Sequence, residues 1–328
     1  MSFAIGGVTI YGYGLAVAMA AALSLGLAGW TFRKAGLRAG TLSWFALLAV
    51  PLGLVGARLL YARMYWEMIT WGGLDGLWRL PGGGFMLYGA LVGSLLAAWL
   101  AAKITGQKAA PLLDALAAPA ALMIALCRLA EGLAGQGYGW YVTDWFNPET
   151  PMSLFHPENI SWVQRFPFAV QDMYEEWAWA VFVLEALLAL VLLALVWRAG
   201  KRPGWKALLF LLIYAAGQIW CEAMREDAVV RWGFVRANQV FGAATVAAVL
   251  AICWAKLPGK GHGARVFRGW LGVLSGAGIV IAMEFAVEQK IPFLRWMTTD
   301  LCFVVLGLGC LLMILSVLPV WRRSGQAE

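Results

Sequence analysis

Ile124-Ala-Leu-Cys-Arg-Leu-Ala-Glu-Gly-Leu-Ala-Gly-Gln-Gly-Tyr-Gly139 places an arginine and, one helical turn on, a glutamate at the end of an apolar run. Arg128 and Glu131 therefore share a helix face. A charged side chain in a membrane helix costs roughly 3 kcal/mol at the bilayer centre, so it tends to pair or to serve a site. Glycines at 132, 135, 137 and 139 follow and allow close backbone approach by a ligand or another helix. Two readings stand for this stretch alone: a helix-end ion pair ahead of a flexible exit loop, or one wall of a site. The rest of the chain has to decide between them.

Working outward, the whole chain has membrane character. Of 328 residues, 62% are hydrophobic and only 13% charged, which excludes an ordinary soluble globular protein. Apolar runs of about 20 residues, long enough to span a bilayer, fall near 11–32, 43–64, 84–104, 113–133, 178–197, 205–223, 237–256, 268–287 and 301–320. The spacing predicts an all-α polytopic membrane protein. Residues 1–10 carry no basic segment and no cleavage signature, so the first span is expected to stay.

The net charge of +7 is distributed in a way that speaks against a nucleic-acid partner. Lys and Arg cluster in alternate connections: Arg33, Lys34 and Arg38; Lys103 and Lys108; Arg198, Lys201, Arg202 and Lys206; Lys256, Lys260, Arg265 and Arg268; and Arg322 and Arg323. By the positive-inside rule these connections face the cytoplasm, giving an outside N-terminus and an inside C-terminus. The other connections hold nearly all the acids, among them Glu67, Asp75, Asp144, Glu149, Glu158, Glu175, Glu226, Asp227, Glu288 and Asp300. The basic side also suits anionic lipid in the inner leaflet.

Chemistry-bearing residues are sparse. All five cysteines, Cys127, Cys221, Cys253, Cys302 and Cys310, fall inside apolar spans and read as small packing residues. His156 and His262 are far apart in opposite-side loops, so no metal-ligand spacing and no Ser-His-Asp set is expected, and no cofactor is implied. Gly82-Gly83-Gly84 lacks the Lys-Ser/Thr of a phosphate loop and reads as a hinge at the entry of the third span.

The polar residues that do stand out sit toward the outer ends of spans. Tyr11 and Tyr13 open the first span as interfacial belt residues or site residues. Arg58 lies deep in the second span, where it either snorkels or pairs. Glycines 84, 89 and 93 suit tight packing of the third span. Residues 134–177 form the longest extramembrane segment, expected to be a small extracytoplasmic cap. Glu185 is buried in the fifth span with no obvious partner. Tyr214, Gln218, Glu222 and Arg225 step by three or four residues and make one polar face on the sixth. Glu284 and Glu288, near an outer end, read as solvated.

These motifs resemble the prolipoprotein diacylglyceryl transferase family. Its signature Gly-Arg-x-Gly-Asn-Phe-x-Asn-x-Glu-x-x-Gly is similar to Cys127–Gly139, which keeps Arg128 and Gly139 but not the asparagines or the glutamate. Tyr13-Gly-Leu, Gly56-Ala-Arg58-Leu-Leu-Tyr61 and Tyr174-Glu175 resemble further family motifs. Gly83–Gly93 resembles its Gly-Gly-x-x-x-His-Gly-Gly-Leu with Tyr88 in the histidine position. The sixth span keeps Tyr214, Glu222 and Arg225 of Tyr-Gly-x-x-Arg-x-x-x-Glu-x-x-Arg, with Gln218 replacing the first arginine.

The resemblance implies a seven-helix transferase-like domain over 1–256, with 257–328 adding a transmembrane hairpin and a short basic tail. It also implies transfer of a diacylglyceryl group from phosphatidylglycerol, or a related anionic phospholipid, to the lipobox cysteine of prolipoproteins at the outer face of the bacterial inner membrane. Arg128, Tyr88, Glu131 and Tyr13 are then the catalytic candidates. Arg58, Gly139, Tyr214, Gln218, Glu222 and Arg225 are the substrate-binding candidates, with arginines clamping phosphate through parallel charged hydrogen bonds. Tyr88, with an ordinary phenol pKa of about 10, is a poorer proton acceptor than histidine. Glu131 repels phosphate unless it is neutral or paired. The substitutions at 88, 131 and 218 leave a second reading open: a non-catalytic or repurposed relative that binds or moves anionic phospholipid.

Overall fold

The computed structural model describes residues 2–5, 8–65, 85–145, 160–172, 174–200, 202–226, 231–232, 235–257 and 262–324. Among the described residues nine helices are long and apolar enough to cross a membrane. They are α1 (Gly12–Lys34), α2 (Ala39–Met64), α3 (Leu87–Thr105), α4 (Ala109–Leu133), α5 (Val181–Arg198), α6 (Trp205–Met224), α7 (Ala237–Ala255), α8 (Gly263–Val287) and α9 (Thr299–Ser324). Each covers one of the apolar runs read from the sequence, because a run that long satisfies its backbone in lipid only by closing its own hydrogen bonds. The chain is thus an all-α polytopic membrane protein. Gly82, Gly83 and Gly84, His156, and the acids Glu67, Asp75, Glu149, Glu158 and Asp227 lie outside the described residues.

Short strands occupy the connections. An antiparallel hairpin pairs β1 (Ser2–Ile5) with β2 (Val8–Tyr11) directly before α1. A second pairs β3 (Ala169–Gln171) with β4 (Trp177–Trp179), and a third pairs β5 (Arg231–Trp232) with β6 (Val235–Arg236). In the segment expected to form a cap, Tyr141 bridges to Ala178, so its two described ends are pinned together.

The helices divide into two compact units, Ser24–Pro119 and Met1–Leu23 with Ala120–Glu328. In the smaller unit α2 and α3 lie against each other along Gly56, Gly89 and Gly93. A methyl on Gly89 would run into the carbonyl of Gly56, and one on Gly93 into that of Leu52. This is the close approach that small residues permit between membrane helices. Phe32, Ala98, Ala101, Ala102, Leu112 and Ala115 form the dry core of this unit.

The larger unit is built around α6, whose apolar and polar faces are both buried. Its core runs from Leu212, Ala216 and Ile219 through Val246 and Leu250 of α7 to Val280 of α8 and Leu306, Met313 and Val317 of α9. The last two helices therefore share a core with α6 and α7, and the chain's packing does not break at residue 256. Indole N–H groups tie them in: Trp220 donates to the Phe303 carbonyl at 3.1 Å and Trp321 to that of Trp205 at 3.2 Å.

Candidate functional site

Helix α4 ends at Leu133, and its final turns hold Arg128 and Glu131 three residues apart. That spacing brings the side chains together: Arg128 Nη1 donates to Glu131 Oε1 at 2.6 Å. The glycines after the helix have two jobs. Gly135 and Gly137 take positive φ, 68° and 78°, where L side chains are strained. Gly137 also lies so close to Glu131 that a Cβ there would stand 2.9 Å from Glu131 Oε2. The loop thus folds back over the carboxylate.

Helix α5 delivers Glu185 from its second turn, and this residue is only 2% exposed. Its Oε2 faces Arg128 Nε at 3.3 Å and Arg225 Nη1 at 2.8 Å. Arg225 Nη1 also reaches Glu131 Oε2 at 3.3 Å. Two guanidiniums and two carboxylates therefore alternate in a closed ring: Arg128, Glu131, Arg225, Glu185. In a medium that hydrates ions poorly, such mutual neutralisation offsets the desolvation of each member.

The polar face of α6 completes the site. Gln218 Nε2 donates to Glu185 Oε1 at 2.7 Å and approaches Glu222 Oε2 at 3.5 Å. Asn238, at the start of α7, donates to Glu222 Oε1 at 3.1 Å. Tyr214 is buried beside the Arg128 guanidinium. Arg236 donates to the backbone carbonyl of Arg225, and its own N–H is accepted by Gln239 Oε1 at 3.3 Å. Gln239 Nε2 then donates to Glu284 Oε1 at 2.5 Å. These groups come from the C-terminal ends of α4, α6 and α8 and the N-terminal ends of α5 and α7, so consecutive antiparallel spans contribute them at one end of the unit.

Of the residues singled out from the sequence, Arg128, Glu131, Tyr214, Gln218, Glu222 and Arg225 meet in this network. Tyr13, in the first turn of α1, stands close enough to Glu131, Cys127 and Arg128 to feel their charges. Gly139 pairs in backbone register with Arg225, and a Cβ there would lie 2.6 Å from the Met224 carbonyl. Its close approach is thus to the protein's own chain. Arg58 and Tyr88 belong to the smaller unit. There Arg58 is buried with its guanidinium 5.5 Å from the Tyr61 ring and 5.9 Å from that of Phe85, and Tyr88 is buried at the start of α3.

Glu185, for which the sequence showed no obvious partner, is buried as expected and meets Arg128, Arg225 and Gln218. One expectation is corrected. Glu284 is not solvated: it is 7% exposed and hydrogen-bonded to Gln239, whereas Glu288 pairs with Lys290 nearer the surface. Sequence reasoning also missed Asn238, Arg236 and Gln239. The signal was available, since four consecutive residues including three polar ones open an otherwise apolar span.

Outside the spans, Tyr141 donates to Asp172 Oδ2 at 2.8 Å, and Asp172 Oδ1 accepts the backbone N–H groups of Tyr174 and Glu176. The hydrogen bond to Asp172 raises the Tyr141 phenol to about 12, with burial and the nearby carboxylate charges adding to it. For Asp172, desolvation pushes upward, but the three hydrogen bonds outweigh it and hold the carboxyl below its ordinary value.

Fold and site together define a multi-pass membrane protein with a charge-balanced Arg–Glu network at one end of its helices. The chain belongs to the prolipoprotein diacylglyceryl transferase family, whose model matches residues 1–255. It is 28% identical over 268 residues to the phosphatidylglycerol–prolipoprotein diacylglyceryl transferase of Geobacillus kaustophilus, covering 78% of this chain and 92% of that one. It is likewise 28% identical over 249 residues to the enzyme of the same name from Symbiobacterium thermophilum, covering 76% and 87%. With that of Gloeobacter violaceus it shares 28% identity over 220 residues, covering 64% and 74%.

Proposed function

We propose that this protein transfers the diacylglyceryl group of phosphatidylglycerol to the lipobox cysteine thiol of prolipoproteins at the outer face of a bacterial cytoplasmic membrane. The supporting observation is the pair of guanidiniums, Arg128 and Arg225, that share one oxygen of Glu185. In this reaction the cysteine sulfur bonds to the glyceryl carbon that carries the phosphoester oxygen. The C–O bond breaks, glycerol phosphate departs with the electron pair, and the thiol proton passes to a base. Negative charge grows on the leaving phosphate, and two pre-placed guanidiniums are suited to hold it.

The resting ring is already neutral, so phosphate has to displace a carboxylate. Glu131 is the one to yield: its side chain is 16% exposed against 1% for Glu185, and it sits on a glycine-flanked helix end. Glu185 stays as the fixed anchor of both arginines, with Gln218 holding its other oxygen. The Lys- and Arg-rich connections lie at the opposite ends of these helices, which by the positive-inside rule supports an extracytoplasmic position for the ring.

The second reading, binding or movement of anionic phospholipid without transfer, draws on Tyr88 in place of the family histidine and on the internally neutralised arginines. Labelled phosphatidylglycerol and a lipobox peptide, supplied to the purified chain, separate the two. Lipidated peptide is the expected product. A preparation that binds the lipid yet lipidates no peptide overturns the transferase reading and leaves the binding one.

A further inference from the structure

We propose that Glu284, on one of the two helices beyond the family match, is a positioning residue for the arginine ring. It rests on the reading of Arg225 as a group that holds the lipid phosphate. Glu284 is buried on α8 and accepts from Gln239 Nε2 at 2.5 Å. The same nitrogen lies 3.4 Å from the Ile219 carbonyl, which can only accept, so the Gln239 end facing both groups is the NH2 group. The amide oxygen of Gln239 is thereby turned the other way, toward the Arg236 N–H at 3.3 Å, where α7 begins.

That turn sets where the Arg236 side chain starts, and its Nη1 donates to the carbonyl of Arg225. Arg225 lies just past the end of α6 in extended backbone, where the bridge to Gly139 holds it on one side and the Arg236 guanidinium meets its carbonyl. Its guanidinium nevertheless has to meet two carboxylates on two other helices, at 3.3 and 2.8 Å. A relay from Glu284 through Gln239 and Arg236 adds a second constraint to the bridge with Gly139. The extra hairpin would then act on lipid recognition from outside the family-like part of the chain. Apolar packing alone needs no carboxylate at this position, and a buried one is expensive in a membrane.

The test uses the full chain and two readouts. The first is the Arg225 Nε–Hε nuclear magnetic resonance signal, assigned by its loss in Arg225→Lys. The second is the dissociation constant for short-chain phosphatidylglycerol. Glu284→Met keeps the volume and deletes the acceptor; it is expected to move the Arg225 signal and to weaken lipid binding about fivefold or more. Glu284→Gln, which retains an acceptor oxygen for Gln239, is expected to recover most of both. An Arg225 signal that stays in place in folded Glu284→Met overturns the proposal, as does a shift that Glu284→Gln fails to reverse. Should Glu284→Met not fold, Gln239→Met cuts the same relay and is held to the same outcomes. If the unaltered chain binds no phosphatidylglycerol, the lipid reading fails while the resonance still decides whether Glu284 positions Arg225.

Discussion

Arg225 Nη1 and Glu185 Oε2 stand 2.8 Å apart, joining the residue just past the end of α6 to the second turn of α5, with Arg128 sharing the same oxygen from α4. One carboxylate therefore anchors three helices. Glu185→Leu would take the shared carboxylate from both guanidiniums, and stripping one partner from a buried ion network costs about 3–5 kcal/mol. Denaturant unfolding in detergent should register a loss of that order for Glu185→Leu and a smaller one for Glu185→Gln. A loss under about 1 kcal/mol would mean that the ring is solvated and holds nothing together.

Glu131 occupies the two arginines proposed to hold the lipid phosphate. Glu131→Gln keeps the shape of the side chain while removing its charge, so the ring loses one of its two carboxylates. The ring then carries a net positive charge, and affinity for phosphatidylglycerol should rise about tenfold, or roughly 1.4 kcal/mol. Titration of short-chain phosphatidylglycerol into both proteins tests this. Unchanged or weaker binding would place the phosphate elsewhere.

The Tyr141–Asp172 contact gives the extramembrane segment a defined pH window. Asp172 is depressed, so its contribution is present above the unfolded carboxyl value and lost as pH falls through the folded one. Tyr141 is raised, so its contribution is full below the ordinary phenol value of about 10 and lost as pH rises toward about 12. Limited proteolysis between 160 and 180 should therefore stay slow from about pH 5 to 9 and accelerate at both extremes. Asp172→Asn should raise the rate within that window and flatten the acid limb; a profile identical to the unaltered chain would count against the contact.

Gly89 lets α3 meet the backbone of α2 at Gly56, with no room for a side chain between them. Gly89→Val forces those helices apart and undoes the contacts along Gly93 as well. Loss of folded protein, or a clearly lowered thermal midpoint, is the expected result. Gly278, where a Cβ would meet nothing within 4 Å, is the matched control and should accept alanine without effect.

Much of this was written plainly in the sequence, for reasons that differ from element to element. The nine spans were legible because lipid demands an unbroken apolar run, and the run itself marks the helix. The α6 face was legible because Tyr214, Gln218 and Glu222 repeat at helical spacing and no lipid-facing helix has reason to do so. Glu185 showed only that it needed a partner, since its partners lie on α4 and α6 and beyond, 33 residues away at the nearest. Glu284 was misread because proximity to a span's end does not distinguish a lipid–water boundary from a contact with the next helix. Single polar residues carry no period, and period is what a sequence exposes.

The last two helices raise the question of which force holds them to α6 and α7. In lipid, burying an apolar side chain against protein gains little transfer energy, because lipid tails are as apolar as the core. Packing density and hydrogen bonds then decide. Met313 of α9 is fully buried, and a Cβ on Gly276 of α8 would come within 2.5 Å of its Cγ, so the fit is tight. Met313→Ala leaves a void, and the cavity part of such a large-to-small change, about 24 cal/mol per Å³ of void, is kept in lipid. Trp220→Phe removes the indole N–H that reaches the Phe303 carbonyl at 3.1 Å, together with the pyrrole part of the ring that lies beside Gly307. Interhelical hydrogen bonds in membranes are worth about 0.6–2 kcal/mol. Denaturant unfolding should therefore rank Met313→Ala as the costlier change by at least about 1 kcal/mol. The reverse order would mean that polar ties, Trp220 and the Glu284–Gln239 bond among them, hold the hairpin in place.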